Sequence, residues 1–156
     1  MLNNIEFLLT YENIYLAANW GVLPFWIMLI TMPNHGITKF FVHSIVAPLL
    51  LLIAYTFVAY QIYLSGNIFE SFNLYLGLED LYSLFSNESI LLIFWLHFLS
   101  ISLFLGGWIV RDASKYFIPK IFTIISLILT YFSGPVGLFF YWLIRIIFSK
   151  KINFNE

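Results

Sequence analysis

The chain has 156 residues, a formal net charge of −1, 62% hydrophobic and only 10% charged residues, where soluble proteins carry about 45–50% and about 25%. So few polar groups cannot cover a surface in water, so lipid is the expected solvent, and the length suits one transmembrane domain over residues 1–156. The balanced charge, the missing basic motif and the lack of cysteine argue against nucleic-acid binding, disulfides, thiolate metal sites and thiol catalysis.

Residues 1–13 carry Glu6 and Glu12 but no Lys or Arg, unlike the positively charged start of a signal peptide. Insertion through the first span is expected, in a bacterial inner membrane or an organelle membrane. A bilayer core of about 30 Å needs roughly 20 helical residues. Four apolar stretches meet that length. The first covers about 15–32 and stops at Pro33; the second covers about 43–64 and stops at Ser65-Gly66-Asn67. Between the second and third spans, Leu74, Leu78, Leu81 and Phe85 recur at helical spacing beside Glu70, Glu79 and Asp80, the pattern of an interfacial amphipathic helix. The third span covers about 88–110, with Ser86 or Asn87 as N-cap and Glu88 favourable in the first turn.

The fourth stretch, about 121–147, holds Gly134-Pro135-Val136-Gly137 in its middle. It reads either as one span kinked at Pro135 or as a re-entrant hairpin. The arms of a hairpin would be about 20 Å long, too short to cross alone. One kinked span is the simpler reading, so the expected fold is an all-α bundle of four transmembrane helices. Lys39, Arg111, Lys115 and Lys120 then favour a cytoplasmic side, with the N-terminus outside. Arg145, Lys150 and Lys151 pull the other way, and the rule nearly cancels.

Polar residues sort onto helix faces at 100° per residue. In the third span His97, Ser100, Ile101, Phe104, Trp108 and Arg111 share a stripe. Trp95, Ser102, Gly106 and Ile109 share another, where Ser102 and Gly106 allow close approach of a neighbouring helix. An ionisable ring near mid-membrane is by default a functional candidate, which singles out His97. In the second span His43, Ala47, Ala54 and Gln61 align. In the fourth, Thr130, Gly134, Leu138, Tyr141 and Arg145 align, with Gly137 on the edge. Turned inward, these faces would give a narrow, partly polar centre in a shell of 18 Phe, 10 Tyr and 5 Trp. His43 and His97 differ in depth by about 15–20 Å, too far for one haem iron. Neither Glu-x-x-His nor His-x-x-x-His occurs, so no cofactor and no metal are expected.

Several segments together resemble the neoxanthin synthase-like family, the relatives of the plant abscisic-acid-deficiency-four protein. They are Leu23-Pro24-Phe25-Trp26 with Met32-Pro33 and Ile37-Thr38-Lys39; Trp95-x-His97, Leu103-Phe104 and Gly107 to Ala113; and Thr130, Gly134 to Leu138, Tyr141 and Arg145. The resemblance implies a four-span membrane protein that handles a carotenoid such as a xanthophyll, with an isomerase-like activity if it is an enzyme. Opening an epoxide to an allene calls for an acid at the epoxide oxygen and a base for the departing proton. The family usually has Asp where this chain has Ser102, which removes the mid-membrane carboxylate.

The resulting expectation is a protein of the lipid bilayer that binds a carotenoid or related isoprenoid lipid, with His97 as proton carrier. Arg111, Asp112 and Arg145 would anchor polar ends or helix termini. A non-enzymatic structural or assembly protein is the alternative, and a homo-oligomer is compatible with either.

Overall fold

The structure is a computed structural model that describes residues 10–44, 46–66 and 75–149. Glu6, Glu70, Leu74, Lys150 and Lys151 lie outside the described residues. Those residues form six helices and no strand: α1 (Tyr11–Thr31), α2 (Gly36–Phe41), α3 (Val46–Leu64), α4 (Leu78–Phe85), α5 (Glu88–Lys115) and α6 (Lys120–Ser149). Four segments are long and apolar enough to cross a membrane: Tyr11–Thr31, Gly36–Leu64, Glu88–Lys115 and Lys120–Ser149. The chain is an all-α integral membrane protein.

Two compact units can be distinguished, Met1–Gly21 with Leu49–Leu99, and Val22–Pro48 with Ser100–Glu156. In the first, Ile14, Ala18, Leu51, Val58, Leu92 and Leu96 form the core. Trp95 Nε1 donates a hydrogen bond to Asn19 Oδ1 at 3.1 Å, giving two polar groups in apolar surroundings the partners they need. Helix α5 starts where Asn87 caps it: Asn87 Oδ1 accepts from the Ser89 amide at 3.0 Å and from the Ser89 hydroxyl at 2.7 Å. Of the two candidate caps, Asn87 makes the bonds. The short α4 buries only Leu84, and its last residue, Phe85, packs against Phe94 with ring centroids 4.7 Å apart.

In the second unit Val22, Trp26 and Leu29 of α1 are buried, and Trp26 and Leu29 pack on α5 at Gly106. Gly106 makes this possible, because a Cβ there would lie 2.9 Å from Trp26 Cη2 and 3.2 Å from a Leu29 methyl. The small-residue stripe of the third span is therefore a helix-packing face. Thr38 Oγ1 donates to the Met32 carbonyl at 2.7 Å and closes the turn between α1 and α2.

Helix α6 differs from the expected single span. The ring centroids of Phe122 and Phe148 are 5.9 Å apart, whereas a straight helix would separate those residues by about 39 Å. Ser133 breaks the helical run with φ −152° and ψ 66°. A Cβ on Gly137 would collide with the backbone nitrogen and hydroxyl of Thr130, seven residues earlier. So α6 folds back on itself as two arms, 120–132 and 134–149. The simple kink at Pro135 gives way to a hairpin that turns at Ser133-Gly134. Pro135 has no amide hydrogen and its ring crowds the carbonyl of residue 131, which stops the first arm from propagating. The buried faces of the arms are Ser126, Leu127 and Thr130 on one and Gly134, Gly137, Tyr141 and Arg145 on the other.

Candidate functional site

The second arm of α6 carries Tyr141 and Arg145 one turn apart, both with no exposed surface. They meet Asp112 near the end of α5. Asp112 Oδ2 accepts a hydrogen bond from the Tyr141 hydroxyl at 2.6 Å and one from Arg145 Nε at 2.7 Å. The guanidinium also donates from Nη2 to the Tyr116 hydroxyl at 3.3 Å and lies over the Tyr116 ring at 4.7 Å from its centroid. Trp108 packs edge-on against Tyr141 at 5.6 Å. Residues 108, 112 and 116 follow one another at four-residue spacing on α5 and its extension, which is why all three face the same arm.

The chemistry of this cluster is that of a fastener. A buried guanidinium is tolerable only when paired and hydrogen-bonded, and Asp112, Tyr116 and Tyr141 supply that environment. One carboxylate oxygen serves two donors, so Asp112 pins the hairpin to α5. Asp112 and Arg145, two of the three candidate anchors, pair with each other. Tyr116 belongs to the cluster as well. The signal for it in the sequence is its place four residues after Asp112 on the face of Trp108.

The other candidates are dispersed. His97 lies on the exposed face of α5 with Ile101, Phe104 and Arg111, while Leu96, Leu99, Ser102 and Leu103 turn inward. These four members of the first stripe face outward because the leucines of the same helix occupy the packed side, while Trp108 of that stripe packs against Tyr141. Ser102 is buried, at 3% exposure. Gly134, Pro135 and Gly137 form the hairpin turn and the arm after it, and Trp95 is bonded to Asn19. His43 Nε2 is buried without a hydrogen-bond partner among the described residues. Among those residues no three His, Asp or Glu side chains converge to hold a metal.

A cavity of about 440 Å³ opens beside the hairpin's first arm. Its floor is Leu29, Val110 and Leu127, and Asn34, Ser114 and Lys120 stand among its lining residues. The Ser114 hydroxyl reaches Asn34 Oδ1 at 3.5 Å and the Val110 carbonyl at 2.9 Å. An apolar floor with a few polar groups is the usual make-up of a small-molecule site, and the volume falls in the usual range of about 300–1,000 Å³.

The family model described as ABA DEFICIENT 4-like matches residues 13–141. The chain belongs to the ABA4-like family. No curated protein and no solved structure matches it. The span shared with the ABA4-like family takes in Trp108, Asp112, Tyr116 and Tyr141, and stops short of Arg145. The fastening cluster therefore straddles the end of the ABA4-like match.

Proposed function

We propose that this ABA4-like membrane protein binds a carotenoid or a related long isoprenoid lipid. The observation that carries the reading is the 440 Å³ cavity with an apolar floor and Asn34, Ser114 and Lys120 in its lining. It suits the hydroxylated end ring of a xanthophyll, with the polyene continuing over lipid-facing surface. Family membership supports the same ligand class. In this reading His97, whose imidazole is exposed on α5, is the candidate for any modification of the ligand such as an isomerisation. Helix α4, with Glu79 and Asp80 in its first turn and little buried surface, lies in the membrane interface.

The test is purification from a carotenoid-producing host followed by an absorption spectrum. A polyene band that weakens when Leu127→Trp fills the cavity floor is the expected result. A colourless protein from a pigmented membrane refutes the binding.

A second reading, a non-enzymatic structural or assembly protein, is favoured by the Asp112–Tyr141–Arg145 cluster, whose polar atoms are engaged in joining helices. His97→Phe separates the two. A changed pigment profile in the host supports chemistry at His97; an unchanged profile with normal accumulation of the variant supports the structural role.

A further inference from the structure

The folded-back α6 alters how charge is distributed across the membrane. Helix α5 is acidic at its start, Glu88, and basic towards its end, Arg111 and Lys115. Those ends are about 35–40 Å apart along the helix, which exceeds the hydrocarbon core of a bilayer. Both ends of α6 sit beside the basic end of α5. Lys120 follows Lys115 after a four-residue connection, and Arg145, near the other end, bonds to Asp112 and Tyr116. The connection carrying Lys39 sits there too, since Asn34 meets Ser114 and the Val42 carbonyl faces Gly107.

Every Lys and Arg among the described residues, namely Lys39, Arg111, Lys115, Lys120 and Arg145, therefore gathers at one end of α5. The other two in the sequence, Lys150 and Lys151, come directly after Ser149. Residues 1–14 and the connection 65–87 contain no cation and carry Glu6, Glu12, Glu70, Glu79 and Asp80. A fourth full crossing would have split the cations between two sides; a hairpin does not. Lys39, Arg111, Lys115 and Lys120 are exposed, which suits contact with an anionic surface.

We propose that α6 re-enters the membrane face it leaves, that the chain crosses the bilayer three times, and that the basic end made by α2, the end of α5 and both ends of α6 docks on the anionic phospholipid headgroups of the cytoplasmic leaflet. The positive-inside rule then speaks with one voice, and the negative surface potential of that leaflet attracts the exposed cations. The N-terminus lies outside and the C-terminus inside.

The chain has no cysteine, so single-cysteine variants report position directly. Thr10→Cys, Phe117→Cys and Ser149→Cys would be expressed in a bacterial inner membrane and treated, in spheroplasts, with a membrane-impermeant maleimide before and after permeabilisation. Thr10→Cys should label in intact spheroplasts, and Phe117→Cys and Ser149→Cys only after permeabilisation. Labelling of Phe117→Cys and Ser149→Cys from opposite sides overturns the hairpin, because it requires α6 to cross. Labelling of both from outside, with Thr10→Cys protected, overturns the docking on the cytoplasmic leaflet. Fusions after Glu156 give a readout that needs no internal substitution. A fluorescent protein that folds only in the cytoplasm should glow, and a phosphatase active only outside should be silent; the reverse pattern overturns the proposal.

Discussion

Replacing Gly137 by Ala distinguishes a folded-back α6 from a continuous helix by the sign of its effect. In a helix interior Ala is favoured over Gly by about 1 kcal/mol, so a single span gains stability from the change. In the hairpin the new Cβ meets the backbone nitrogen and Cα of Thr130. A backbone atom held in the opposing arm cannot swing aside like a side chain. Overpacking of this kind costs about 1–3 kcal/mol, enough to offset the propensity gain and leave a loss of up to roughly 2 kcal/mol. At about 2–4 °C per kcal/mol for a chain of this size, the Tm in detergent should fall by several degrees. Gly21→Ala is the internal control: it sits inside α1, where a Cβ meets nothing within 4 Å, and its Tm should rise. Thermal unfolding followed by tryptophan emission reads both variants. If Gly137→Ala raises the Tm alongside Gly21→Ala, the two arms do not pack as described.

Asp112→Ala removes the carboxylate from the fully buried Arg145 guanidinium and should cost about 3–5 kcal/mol in the same assay. The double change Asp112→Leu with Arg145→Met should recover most of it, and a double variant as unstable as the single would contradict the fastening role. Asn87→Ala removes the cap on α5 and should cost about 1 kcal/mol, with faster amide exchange confined to the first turn from Glu88. Gly106→Val must displace Trp26 and should cost about 1–3 kcal/mol; an unchanged tryptophan emission spectrum would show that α1 does not press on that position.

Much of the molecule is legible one segment at a time. The apolar stretches, a cap at Ser86 or Asn87, the packing role of Gly106 and the shared face of Gly134, Tyr141 and Arg145 follow from local spacing, because helical periodicity and capping involve residues a few positions apart. Which stripe faces inward is less legible. His97 and Ser102 are both polar interruptions of α5, and only the neighbouring packing surface decides that Ser102 is buried and His97 exposed. Tyr116 follows the apolar stretch, where hydropathy carries no signal for it, yet it continues the spacing of Trp108 and Asp112.

Composition alone determines that this chain lives in lipid: with one charged residue in ten, no arrangement of it could be hydrated. Its motifs likewise place it in its family without any coordinates. What the tertiary structure decides is the path of the last 30 helical residues. Hydropathy measures length and apolarity, and both are the same for a kinked span and for two arms lying side by side. The choice rests on contacts between residues far apart in sequence, Phe122 with Phe148 and Asp112 with Arg145. A guanidinium buried in an apolar setting must find its carboxylate, and it does so only when the chain turns back at Ser133-Gly134.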